Sequence, residues 1–115
     1  MLLKQLHMEK QYQSLKEFYP FYLSQHQNKT SRMLHFIGTS LFIFFFFGSF
    51  IFHEVNILLF SPIVAYGFAW IGHYFFEKNK PATFQYPLYS LASDFILYFE
   101  ILSGKESFDA KQNKP

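Results

Sequence analysis

Between Arg32 and Glu77 the chain is almost uninterrupted apolar sequence, with Glu54 the only acidic or basic side chain other than histidine inside that interval. The run "MLHFIGTSLFIFFFFGSFIF", Met33 to Phe52, has about the twenty residues that a helix rising ~1.5 Å per residue needs to cross ~30 Å of hydrocarbon. A second candidate span, Ile57 to Phe76, follows the short polar link "HEVN", His53 to Asn56, so the two must run antiparallel. Ser61-Pro62 interrupts it. Proline is favoured in the first turn of a helix, and the ordered part of this span is expected to start near Pro62. A buried hairpin in a soluble globule is the competing reading, but a chain of 115 residues offers little polar helix to wrap it.

Outside the spans, Met8, Tyr12, Leu15, Tyr19 and Tyr22 recur at alternating steps of four and three, the spacing of an amphipathic helix. Ser14 with Glu17 predicts a capping box, Pro20 a kink or restart, and the arm as a whole an interfacial helix rather than a third span. After Pro81 and Pro87, "LYSLASDFILYFEILSG" is largely apolar, its polar positions being Ser90, Ser93, Asp94, Glu100 and the terminal Ser103. It predicts another helix, lying in the interface or dipping into the membrane. The tail, Lys105 to Pro115, is polar and expected to fray.

With no internal repeat and no linker, residues 1–115 read as one membrane domain with spans at about 33–52 and 57–76. The expected fold class is all-α: an integral membrane helical bundle, built as an antiparallel two-span hairpin flanked by N- and C-terminal amphipathic or interfacial helices. Lys29 and Arg32 precede the first span, while Lys78 and Lys80 follow the second, which by the positive-inside tendency puts both termini in the cytoplasm. The opening "MLLKQLHMEKQYQ" breaks its apolar run with charge at once, unlike a cleavable signal. The expected location is the inner membrane of a bacterium or the endoplasmic reticulum of a eukaryote.

Composition sharpens this picture. Half of the residues are hydrophobic and only 16% are charged, with 18 Phe and 8 Tyr, a load suited to lipid and its interface. The absence of cysteine excludes disulfides, thiolate metal sites and cysteine nucleophiles. A net charge of +2 is too small and too scattered to suggest nucleic acid as a partner. No motif sets a nucleophile beside a base.

The polar residues within the apolar interval share faces. Tyr66, Trp70, His73 and Glu77 follow steps of four, three and four, and Arg32, His35 and Thr39 steps of three and four. His35 lies nineteen residues before Glu54 and His73 nineteen after it, so straight antiparallel helices bring them to similar depth. His26 lies on the same side, nine positions from His35. It can join His35 only if the chain bends between them, and the cap-rich Asn28 to Ser31 segment permits a bend. Three neutral imidazoles at one depth suggest a site for Fe(II), Zn(II) or a similar ion. The plainer readings are an interfacial hydrogen bond for each histidine, a pairing of Glu77 with Lys78 or Lys80, and a snorkelling Arg32. Intramembrane ionisable groups are costly, and their coincidence favours a site. His7 and His53 fall away from the cluster.

"FYPFYLSQHQNKTSRMLHFIGT", Phe18 to Thr39, and "YGFAWIGHYFFEKNKPATFQYPLYSLASDF", Tyr66 to Phe95, resemble the signature blocks of the Mpo-type 2-hydroxy fatty acid dioxygenases. The patterns YP-x-Y-x3-H-x-N-x3-R-x2-H-x-IG and W-x-GH-x3-E-x-N-x-PAT carry the resemblance, although the link between spans is shorter than in the fungal relatives. The resemblance implies an endoplasmic-reticulum type of membrane enzyme using Fe(II) and O2 to shorten a 2-hydroxy fatty acid by one carbon in α-oxidation. It puts the metal ligands at His26, His35 and His73, with Asn28, Arg32, Glu77 and Asp94 on other motif positions. On that basis Arg32 is expected to neutralise the substrate carboxylate, and Glu77 and Asp94 to orient imidazole N–H groups or supply a fourth ligand. Tyr66 and Trp70 support the site from the second span. Two rivals stay open: a heme-binding hairpin, and a non-catalytic membrane scaffold or lipid-binding subunit.

Overall fold

A computed structural model describes residues 11–110; Met8 and His7 of the N-terminal arm, and the last five residues of the tail, lie outside that range. Four α-helices make up the described chain: α1 (Leu15–Ser24), α2 (Lys29–Ile51), α3 (Val55–Ile71) and α4 (Pro87–Ser103). α3 runs on into a π-helical segment, Gly72–Glu77, and a single 3-10 turn, Ala82–Phe84, leads into α4. No strand occurs among the described residues.

Two helices are long and apolar enough to cross a membrane, Lys29–Ile51 and Val55–Glu77. Both start before the apolar sequence does. Asn28 caps α2 by accepting from the Ser31 amide at 3.0 Å, which draws Lys29 to Arg32 into the helix. The link between the helices shrinks to Phe52–Glu54, with His53 in the left-handed region at φ 55°.

Pro62 does not begin a helix, contrary to the sequence expectation; it lies inside α3. Proline cannot donate to the carbonyl four residues back, Leu58, but the Ser61 hydroxyl donates to that oxygen at 2.8 Å. A neighbouring serine thus satisfies the acceptor that the proline leaves, and the helix continues.

α2 and α3 pack closely along their length. A Cβ placed on Gly72 would come within 2.9 Å of Ser31 Oγ, and one on Gly38 within 2.9 Å of the Ala65 carbonyl oxygen. The rings of Phe45 and Phe60 lie 6.3 Å apart. Contacting residue numbers rise on one helix as they fall on the other.

α1 is capped as its sequence predicts: Ser14 Oγ accepts from the Glu17 amide at 3.1 Å, and the Glu17 carboxylate accepts from the Gln13 amide at 2.8 Å. It continues through Pro20. Its inner face docks on protein. Phe18, outside the predicted stripe, is wholly buried with Tyr22, Tyr86 and Leu97 in an aromatic core, and Tyr12 and Tyr89 pack at its edge. Hydroxyl groups complete the docking, Tyr22 donating to Asp94 and Tyr19 to Glu100, both on α4.

The start of the tail is folded where fraying was expected. Gly104, in the left-handed region at φ 85°, ends α4 and turns the chain back. Glu106 and Ser107 then reach Arg32, and Phe108 meets Phe36 edge-on at 5.3 Å.

The close approach at Gly38 is testable. Gly38→Ala should destabilise the protein in detergent by about 1–3 kcal/mol, because its Cβ would strike backbone at Ala65. Gly48→Ala, with nothing within 4 Å, should stay within about 0.5 kcal/mol of the parent in the same thermal unfolding measurement.

Candidate metal centre

Between the end of α1 and the start of α2 the chain turns sharply enough to lay His26 against the first turns of α2. Asn28 holds this turn twice. Its side chain caps α2, and its own amide donates to both oxygens of the Glu77 carboxylate, at 3.0 and 3.1 Å. The bend required for His26 to join His35 is therefore present. At the other helix the π-helical segment ends with Lys78 left-handed at φ 60°, and the amides of Lys78 and Asn79 both return to the His73 carbonyl. Widened turns of this kind recur at functional sites.

The three imidazoles meet. Ring centroids are 4.5 Å apart for His26 and His35, 4.5 Å for His26 and His73, and 4.9 Å for His35 and His73, each pair close to perpendicular. All three are buried, and one ring nitrogen from each lies within 4.8 Å of the others.

Hydrogen bonds determine where their protons go. His26 Nδ1 lies 2.7 Å from the Tyr22 carbonyl, and His35 Nδ1 lies 2.9 Å from the Ser31 carbonyl. A carbonyl oxygen only accepts, so each Nδ1 carries the proton. His73 Nδ1 faces Asn79 Oδ1 at 2.7 Å, and the Asn79 amide nitrogen donates to Gln25, which aims Oδ1 at the ring. Every Nε2 is consequently left as a bare lone pair. Those of His26 and His35 point at one another across 3.1 Å, an arrangement that invites a cation between them. Burial, with His35 and then His73 adjacent, holds His26 well below the ordinary histidine pKa, so it offers the neutral form a metal needs.

The space beside the rings is small, about 10 Å³, and Tyr22, Tyr66, Trp70, Ser90 and Asp94 share its walls. A larger cavity of about 240 Å³ adjoins it through His35, Tyr66, Ala69 and Asp94. Thr39, Phe42, Pro62, Ala65, Leu91 and Phe95 line the rest, so a polar end leads into an apolar one.

Tyr66 and Trp70 both line the small space beside the rings. Three expectations require correction. Arg32 is not offered to a substrate: it is almost wholly buried, Nε donates to the His26 carbonyl at 2.6 Å, and Nη1 bonds Glu106 at 2.9 Å and the Ser107 carbonyl at 2.6 Å. Glu77 orients no imidazole, because its carboxylate is taken up by the amide end of α2. Asp94 orients none either; it takes the Tyr22 hydroxyl at 2.5 Å. Backbone carbonyls and Asn79 perform that task. Asn79 was legible as part of the quoted E-x-N-x-PAT block, whereas the two carbonyls had no signal in side-chain spacing. His53 lies in the link between α2 and α3, remote from the cluster.

A family model described as 2-hydroxy-palmitic acid dioxygenase Mpo1-like matches residues 12–106. The chain belongs to the Mpo1-like family. Neither a curated protein nor a solved structure gives a significant match. The Mpo1-like name points to a 2-hydroxy fatty acid dioxygenase, and the three-histidine cluster is compatible with a metal-dependent one.

Two outcomes follow for this Mpo1-like centre. Asn79→Ala should weaken Zn(II) binding about 10–100-fold in a chelator competition titration, with helical content unchanged. Asp94 has its pKa pushed up to about 7 by burial, from an ordinary 3.8. A carboxyl raised on folding contributes stability that is full below about pH 3.8 and lost as pH rises through about 7. Relative to Asp94→Asn, the metal-free parent should therefore lose stability across that window in pH-dependent thermal melts.

Proposed function

We propose that this protein is an integral membrane dioxygenase that uses Fe(II) and O2 to shorten 2-hydroxy fatty acids by one carbon, a reaction of fatty acid α-oxidation. The observation that carries the reading is the convergence of three unprotonated imidazole nitrogens at the polar end of an otherwise apolar cavity. His26, His35 and His73 would hold the iron, and the donor set fits it: three neutral nitrogens leave positions open for further ligands. Bound Fe(II) supplies the Lewis acidity and the redox chemistry with O2 that the reaction needs.

The remaining residues hold and shape. Tyr22 and Ser31 carbonyls and the Asn79 side chain fix the ring orientations. Arg32, bonded to the His26 carbonyl, ties the turn bearing that ligand to the C-terminal segment. The acyl chain would lie along Thr39, Phe42, Ala65 and Phe95, which exclude water from the chemistry. No organic cosubstrate is formally required.

Exposure supports the membrane part of the proposal. Only 22% and 17% of the most apolar stretches of α2 and of α3 with its extension are buried, whereas the core helices of a soluble protein are mostly buried. Phe44, Phe47, Ile51, Leu59 and Ile63 project outward at more than half exposure. We place α2 and α3 across the bilayer as an antiparallel hairpin within one domain of residues 1–115. Lys29, Lys78 and Lys80 lie exposed at one end, which by the positive-inside tendency supports placing that end, and the termini with it, in the cytoplasm. A bacterial inner membrane or an endoplasmic reticulum would suit it equally. Heme fits poorly, because centroids 4.5 to 4.9 Å apart and about 10 Å³ of space leave no place for a porphyrin.

The test is turnover by anaerobically purified protein given Fe(II), O2 and a 2-hydroxy fatty acid, with the acid one carbon shorter as product. His73→Ala should lose both iron retention and product formation. Full activity in that variant, or stable metal-free protein that ignores the acid, would favour a scaffold instead.

A further inference from the structure

Arg32 bonds the His26 carbonyl, Glu106 and Ser107, which leaves the polar head of a substrate without that side chain as a partner. Two residues of α4 face the gap. Ser90 and Asp94 are one turn apart, and both line the small space against the three imidazoles. Ser90 is only 2% exposed, and its hydroxyl has no hydrogen-bond partner among the described residues. The buried hydroxyls of Ser31 and Ser93 are unpartnered as well, but of the three only Ser90 lines the space beside the imidazoles, where an absent partner could reach it. Asp94 takes the Tyr22 hydroxyl on Oδ1, which leaves Oδ2 for another group. It also lines the apolar cavity, and so stands at the junction of the two spaces. About 10 Å³ is room for one hydroxyl-sized group.

We infer that Ser90 and Asp94 are the specificity-determining pair that reads the 2-hydroxyl of the fatty acid, Asp94 Oδ2 and Ser90 Oγ each making one hydrogen bond to it. This inference rests on the dioxygenase reading above. A hydroxyl both donates and accepts, so it can satisfy two polar neighbours at once. A fatty acid without that hydroxyl leaves both of them buried and unpaired, and sites built to bond a hydroxyl reject such analogues strongly. The pair therefore selects hydroxylated acids by bonds that the others cannot make, independently of any contact to the carboxylate.

Trp70 lines the same space and is the sole tryptophan of the chain, so its fluorescence reports occupancy of this site. The experiment titrates 2-hydroxy-palmitic acid and palmitic acid into the full chain in detergent, loaded with Zn(II) so that no turnover intervenes. The parent should prefer the hydroxylated acid by about 10-fold or more. Ser90→Ala removes only an unpartnered oxygen and should cut that preference several-fold, with Zn(II) retention intact. Asp94→Ala should bring the two acids close to parity, while the affinity for palmitic acid stays within about twofold. A preference that survives undiminished in both variants, in a protein whose Fe(II) form still turns over the hydroxylated acid, overturns this inference alone. A parent that binds neither acid and turns over neither overturns the dioxygenase reading with it.

Discussion

His26 and His35 hold unprotonated ring nitrogens 3.1 Å apart, and lone pairs at that separation repel unless a cation or a shared proton stands between them. Much of the surrounding structure is devoted to keeping them there. Backbone carbonyls of the preceding turn bind each Nδ1, which prevents the ring from relieving the contact by a change of tautomer. The third ring reaches the same point from another helix through a widened turn and an asparagine anchored on Gln25. Three imidazoles held in this way could take a metal ion without a change of tautomer.

The features legible in the sequence were those with a period or a spacing. Two apolar helices, the capping box at Ser14, the bend around Asn28 and the shared depth of His35 and His73 all follow from local rules, and each has its counterpart in the structure. What escaped depended on contacts between distant segments. Pro62 stops a helix by its own chemistry, yet Ser61 supplies the donor it lacks. α1 has the stripe of an amphipathic helix, but its spacing does not foretell that the Tyr19 and Tyr22 hydroxyls find carboxylates on α4.

Arg32 illustrates the same limit most sharply. An arginine among motif histidines suggests a partner for a substrate anion. In the fold its guanidinium is consumed by a main-chain carbonyl on one side and by Glu106 and Ser107 on the other. Nothing in the mixed polar tail advertised that pairing. A buried arginine deprived of Glu106 would leave an uncompensated charge next to a histidine-bearing turn, which makes the C-terminal segment part of the architecture of the centre rather than an appendage.

The far wall of the cavity has a consequence of its own. Phe42, Pro62, Ala65 and Phe95 present no side-chain donor there, and Pro62 lacks even an amide hydrogen. On the dioxygenase reading, the methyl terminus of the acyl chain would rest against that wall. A chain ending in a second carboxylate or a terminal alcohol would have to shed its hydration with nothing to replace it. The enzyme would therefore discriminate at both extremities of its substrate, accepting oxygen at one and refusing it at the other.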